Sequence, residues 1–428
     1  MTTDHPLRYA LVNELHARPF PVLEVPATAV FLALHHGEDA ASRSRDADRQ
    51  LLADLVERFG APLPEPGVTH YAGPLGRASL KWESHTEFVT YSAFSPDLPA
   101  RAFDPISAEV FPHDWLAKAP GSRICSVLIR VEAEPETAVE MKDKLDQWFV
   151  GESLAAARVV DGAAVIASDF RIDPAGHMRF AVFVRPGTGP RRIGRVVQRL
   201  CEIETYRAMS MLGLVAARRL TPRLNAVEAR LVGLVAGLDD ATSNAEADLH
   251  ELLQISAELE SLAVSASFRF GATRAYETIV KQRIEALRET RTDARQTFAE
   301  FMMRRYDPAM RTVQSTDGRL KTLAERAQRA AELLRTRVDV VRSRENQALL
   351  ASMDRRADLQ LRLQHTVEGL SVVAISYYAV SLAAYLLTPV AEALALPEKA
   401  LKALLVPVIL VLAWAGLRRL RPSVHQGG

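Results

Sequence analysis

Residues 369–388 read Gly-Leu-Ser-Val-Val-Ala-Ile-Ser-Tyr-Tyr-Ala-Val-Ser-Leu-Ala-Ala-Tyr-Leu-Leu-Thr, twenty positions without a charged side chain. As a helix rising about 1.5 Å per residue, this stretch covers roughly 30 Å, the thickness of a bilayer's hydrocarbon core. A second uncharged run, Ala403 to Leu417, reaches only about 22 Å as a helix, so Lys402 has to snorkel or the helix has to start nearer Leu396. Arg355, Arg356 and Arg362 precede the first run, and Arg418, Arg419 and Arg421 follow the second. Basic flanks stay on the cytoplasmic side, so the two runs read as a hairpin with a loop from Pro389 to about Lys399 on the far side. The expected location is the inner (cytoplasmic) membrane, multi-pass, with both termini cytoplasmic and membrane lipid as a partner.

Upstream, no proline occurs between Arg319 and Pro389. Leu320, Leu323, Ala327, Ala330, Leu334, Val338 and Val341 recur at three-four spacing, and Leu349, Met353, Leu359, Leu363 and Val367 resume it out of phase. That is one long helix with a coiled-coil-like seam. An isolated charged rod leaves such a seam wet, so Leu323, Leu334, Val338 and Val341 are expected to pack against neighbouring subunits or the second helix, and a homo-oligomer is expected. Two further helical patterns precede it, Asn225 to Ser265 and Ala272 to Arg305, with Asp307-Pro308 as a break. Before Pro222 the character differs. Strand-like runs cover Val30 to His36, Ser79 to Phe94, Ile124 to Glu132, Ala163 to Ile172 and Met178 to Val184. Helical patterns at Ala41 to Phe59 and Glu136 to Phe149 lie between some of them. Ala61 to Pro74, rich in proline, reads as an irregular connection.

The expected architecture is thus an α/β (or α+β) cytoplasmic head over residues 1–221, a helical stalk over 222–368, a two-helix transmembrane hairpin over 369–418 and a tail over 419–428. Lys plus Arg number 53 against 52 for Asp plus Glu, so no overall field is available to hold a nucleic acid. The two cysteines, Cys125 and Cys201, have no metal-finger spacing and read as reduced and structural.

Several clusters could carry chemistry. The opening His5-Pro-Leu-Arg8 with Asn13, Glu14, His16 and Arg18 has the groups to bind a ligand, but also the composition of a short solvated helix. Read as one strand, Lys81 to Phe88 puts Glu83, His85 and Glu87 on one face. Two carboxylates flanking an imidazole suit a divalent ion, whereas the wet side of a sheet looks the same. His35-His36-Gly-Glu38-Asp39 and Gly187-Thr-Gly189 with Arg191 and Arg192 match no metal or nucleotide signature closely. There is no Gly-x-Ser-x-Gly elbow, Walker loop or His-Glu-x-x-His, so nothing points to an enzyme and no cofactor is specified. In the first apolar run Ser371, Tyr378, Ser381, Tyr385 and Thr388 fall on one face, with Glu392 just beyond. Hydroxyl residues in a lipid-embedded helix face protein or water, so this stripe marks helix association or a pore.

The blocks His5 to Arg8, Asn13-Glu-Leu-His-Ala-Arg-Pro19, Trp82-Glu83 with His85 to Phe88, and Glu202-Ile-Glu-Thr-Tyr-Arg207 resemble those of a bacterial family of membrane-anchored proteins of unknown function. The order of parts is also similar to that of CorA-type divalent-cation transporters, in which a stalk helix continues into the pore-lining span of a pentamer. That second resemblance implies an oligomeric conduit, a pentamer, for a divalent cation such as magnesium. The Gly-Met-Asn signature of that superfamily is absent, and Leu386-Leu-Thr-Pro-Val-Ala-Glu392 stands in its place. A membrane-tethered scaffold or ligand sensor without transport is the alternative.

Overall fold

The computed structural model describes residues 4–9, 11–12, 20–37, 44–237, 244–292, 295–393 and 397–420. The chain divides into two compact units, Met1–Ala331 and Glu332–Gly428. The elements in chain order are β1 (Ala27–His35), α1 (Asp46–Arg58), β2 (His70–Leu75), β3 (Ala78–Ser84), β4 (Phe88–Ser95), α2 (His113–Leu116), β5 (Ser122–Ala133), α3 (Ala138–Trp148), β6 (Ala155–Val159), β7 (Ala164–Ser168) and β8 (Met178–Val184). They continue with α4 (Pro190–Gly237), α5 (Ala245–Leu287), β9 (Thr290–Arg291), α6 (Phe298–Arg305), α7 (Asp307–Ala393) and α8 (Glu398–Leu420).

One nine-stranded sheet, in the order β2-β3-β4-β1-β5-β8-β7-β6-β9, organises the first unit. Its pairs are antiparallel except β5 with β8. Period-two alternation gives the sheet two unlike faces. On one, Val30, Leu32, Leu34, Leu80, Trp82, Val89 and Tyr91 meet Leu51, Leu52, Leu55 and Val56 of α1 and Met141 and Leu145 of α3. Trp82, Tyr91 and Trp115 are fully buried there, and truncating one such ring costs about 3–5 kcal/mol. The other face takes α4, which lies against β5 and β1.

α4 and α5 form an antiparallel pair, joined by Glu202 with Arg283 near one end and by Arg230 with Glu251 near the other. The first turns of α7 complete a three-helix arrangement through Arg319 to Glu228 of α4 and Arg274 of α5 to Asp317. The seam expected on α7 is covered in this unit, where Leu320, Leu323, Ala327 and Ala330 are buried; in the second unit Leu334 and Val338 are buried too.

In several places the chain departs from the sequence reading. Lys81 to Phe88 is not one strand, since His85 to Glu87 form the turn of a β3–β4 hairpin. His70 to Leu75, read as irregular, is edge strand β2; Pro74 is tolerated because an edge strand leaves one row of backbone groups unpaired. Pro222 sits inside α4 instead of ending a domain. The helix loses one backbone bond there, and the burial of Leu220, Leu224 and Val227 on both sides holds it together. The break placed near residues 266–271 falls instead between Gly237 and Asn244, whose side chain caps α5 by accepting from the Glu246 and Ala247 amides.

In the second unit, Val341, Leu349, Leu350, Met353, Leu359, Leu361, Leu363 and Val367 of α7 are all exposed. Among the described residues, one helix is long and apolar enough to cross a membrane, and Lys402–Gly416 is a shorter apolar helix. Ser376 and Ala384 of α7 are buried, and on α8 Leu405, Ile409 and Ala413 are the partly covered positions at four-residue steps.

Candidate functional site

A cavity of about 320 Å³ opens between the sheet and the α4–α5 pair. Its floor is the polar face of the β3–β4 hairpin, where register pairs Lys81 with Ser92 and Glu83 with Thr90. Its wall is one stripe of α4, Gln198, Glu202, Thr205 and Tyr206, and the end of α5 supplies Arg283. Phe20 closes one side. The backbone just after it passes so close to α4 that a Cβ on Gly194 would lie 1.7 Å from the Pro21 carbonyl oxygen, so glycine is required at that crossing.

A chain of polar contacts runs across the cavity. Lys81 Nζ donates to Gln198 Oε1 at 3.0 Å and stands 3.3 Å from Glu83. Gln198 Nε2 donates to Glu202 Oε1 at 2.7 Å, and Arg283 donates to the other Glu202 oxygen. Arg199 Nη1 donates to the Ala286 carbonyl at 2.9 Å, which ties α4 to the end of α5. Burial first, and then the neighbouring Arg195 and Arg283, push the Arg199 guanidinium below its ordinary range, with Arg288 adding to the effect and Glu202 opposing it. Guanidinium groups crowded in a half-buried place favour a negative guest. His85 stacks on Phe88 with centroids 4.4 Å apart and meets the Tyr206 ring edge-on, adding an aromatic wall.

Of the three residues expected to share a metal, Glu83 and His85 reach this cavity and Glu87 does not. The hairpin turn rotates Glu87 into the protein, where it is fully buried and accepts from Arg269 at 2.5 Å and from Tyr276 Oη at 2.7 Å. Burial and the adjacent Glu87 raise the Tyr276 hydroxyl well above its usual range. Among the described residues no group of three or more His, Cys, Asp or Glu side chains could hold a metal ion. Cys125 and Cys201 are both buried and free, and burial raises both thiols far above their ordinary range.

The remaining candidates are scattered. His5 accepts from the Leu7 amide and Arg8 pairs with Asp4, both at the surface, while Asn13, Glu14, His16 and Arg18 lie outside the described residues. His36 pairs instead with the buried Asp48 at 2.7 Å. In the apolar segment, Tyr378 and Tyr385 are 71% and 83% exposed, Ser381 is half-buried, and Ser371 and Thr388 return their hydroxyls to the Val367 and Ala384 carbonyls. Nothing is described of the Glu392 side chain. Sequence reasoning missed Gln198, Arg199 and Arg283. Gln198 and Glu202 stand one helical turn apart, a visible pairing, but nothing local announces that Arg283 arrives from a helix eighty-one positions later.

The fold and this cavity define a mixed α/β protein with long helices, a polar cleft on one sheet face and one apolar helix of membrane-crossing length. The chain belongs to the family described as proteins of unknown function, DUF3422, whose model matches residues 3–424. No curated protein matches the chain.

Proposed function

We propose that the chain is a membrane-anchored ligand-binding protein, in which residues 369–388 and the shorter apolar helix fix it to the inner membrane and the sheet-bearing unit binds a small anionic molecule from the cytoplasm. The observation that carries this reading is the cationic crowding at the cleft. Lys81, Arg199 and Arg283 line it against Glu83 and Glu202, and Arg195 and Arg288 stand within electrostatic reach of Arg199. The aromatic wall of Phe31, Phe88 and Tyr206 suits the apolar body of an organic acid. The full chain, titrated calorimetrically with benzoate and with inorganic phosphate, is expected to bind the organic anion saturably. Arg283→Gln should weaken that binding about tenfold, the worth of one charged hydrogen bond. Binding that ignores both Arg283→Gln and Arg199→Gln overturns the reading.

A second reading follows from the apolar segment. Tyr378 and Tyr385 point away from the covered face that holds Ser376 and Ala384, so copies of the chain could meet through the hydroxyl stripe. An oligomer of the CorA-like kind would then conduct a divalent cation such as magnesium past Ser371, Tyr378, Ser381, Tyr385 and Thr388. Liposomes holding a well-formed oligomer that passes no magnesium under any gradient would eliminate it.

A further inference from the structure

The opposite face of the sheet carries a second cavity, unrelated to the cleft. It measures about 450 Å³ and lies beneath the 3-10 turn Pro105–Val110 and α2. Leu32 and Leu34 of β1, Ile106, Phe111 and Leu116 supply its apolar lining, and Arg123 and His177, with Glu109 and His113, its polar groups.

His177 is 6% exposed and held on two sides. Its backbone amide donates to Asp173 Oδ1 at 2.8 Å, its carbonyl accepts from the Asp173 amide at 2.8 Å, and its ring Nδ1 lies 2.7 Å from the buried Ser126 hydroxyl. Nε2, the other ring nitrogen, has no hydrogen-bond partner among the described residues, although the ring lines the cavity. A polar atom on a buried side chain without a partner is costly unless water or a ligand reaches it. Arg123 makes no ion pair among the described residues. Its guanidinium lies over Gly176, where a Cβ would approach Nη2 to 2.3 Å, and φ at +88° favours glycine at that position. Burial and the positive charge of Arg123 lower the basicity of His177, so near neutral pH the ring carries no charge. In the tautomer in which Ser126 donates to Nδ1, the proton sits on Nε2 and faces the cavity.

We propose that this cavity binds a small amphiphilic monocarboxylate, its chain on Leu32, Leu34, Phe111 and Leu116 and its carboxylate taking hydrogen bonds from Arg123 and from His177 Nε2. One charged fork and one neutral donor suit a single carboxylate, and the apolar lining favours a hydrocarbon body over a sugar or nucleotide. Ser126 is a positioning residue: its hydroxyl holds the imidazole through Nδ1 and does not line the cavity.

The test is calorimetric titration of the full chain with hexanoate, beside hexanol as the neutral analogue. Saturable hexanoate binding is expected, weakened about tenfold in Arg123→Ala, weakened also in His177→Gln, and abolished by Leu116→Trp, which fills the cavity. Arg123 is exposed, so its variant keeps the fold even if the His177 change does not. Hexanol should bind equally to the native chain and to Arg123→Ala. Absence of saturable hexanoate binding, or binding that survives both Arg123→Ala and Leu116→Trp, overturns the proposal. So does binding lost in the cleft variant Arg283→Gln, because the ligand would then sit in the other site.

Discussion

The same helix, α7, carries an apolar seam in both compact units, and the seam has opposite fates. In the first unit Leu320, Leu323, Ala327 and Ala330 are no more than 6% exposed, covered within a three-helix arrangement that ion pairs knit together. In the second, Leu334 and Val338 are still buried, but farther along Leu349, Met353, Leu359 and Leu363 lie 59–65% exposed. A soluble chain rarely leaves so long a run of large apolar side chains in water. The contrast separates a first unit whose seam is covered by its own helices from a second whose apolar side chains are open, which is what the proposed membrane anchor requires.

The largest effect expected from a single substitution falls in the first unit. Glu87 is fully buried and Arg269 nearly so, and removing one member of such a pair strands a charge at a cost of about 3–5 kcal/mol. Denaturant unfolding of Glu87→Ala should show that loss, and replacing both residues with leucine should restore most of it. If Glu87→Ala unfolds like the parent, the hairpin is not pinned to α5 in the way described.

A matched pair of truncations sharpens the comparison next. Leu323→Ala should cost about 2–5 kcal/mol of folding stability, as a core cavity does. Leu349→Ala, chemically identical, should alter folding by no more than about 0.5 kcal/mol and appear instead as weakened self-association in sedimentation. Equal folding costs at both positions would erase the distinction between the two units.

The smallest effect is one of pH. The His177 imidazole is held below its ordinary value of 6.5 by burial. Above that pH it is neutral in both folded and unfolded chains and contributes no slope. As pH falls below about 6.5 the unfolded chain takes up a proton that the folded one refuses, so stability declines. His177→Gln should flatten that part of the stability–pH curve, and an unchanged slope would mean that other groups set it.

Legibility in the sequence followed the strength of local signals. β1, β5 and β8 announce themselves by β-branched and aromatic runs, whereas the caps Asn244 and Thr297 fall inside the two helical patterns read from the sequence and mark starts that periodicity alone does not show. β6, Ala155-Ala-Ala-Arg-Val159, does not, because three alanines carry no strand preference and only pairing with β7 and β9 makes the segment extended. The β3–β4 turn was hidden for a related reason. His85-Thr-Glu87 contains neither glycine nor proline, so the run reads as continuous and period two puts Glu87 on a face with Glu83. Half of the cleft was readable, Glu83 and His85 from alternation. The other half depends on the crossing of α4 with α5, which brings Glu202 to Arg283 through tertiary packing that no spacing encodes.

Whether the second unit is anchored in a bilayer is the central claim, and fractionation of membranes from cells expressing the full chain tests it most directly. The account predicts that the protein stays in the pellet through high salt and alkaline carbonate and leaves only with detergent, while a chain ending at Glu368 appears in the supernatant with its sheet-bearing unit folded. Release of the full chain by salt or alkali, or membrane retention of the truncated one, would contradict it.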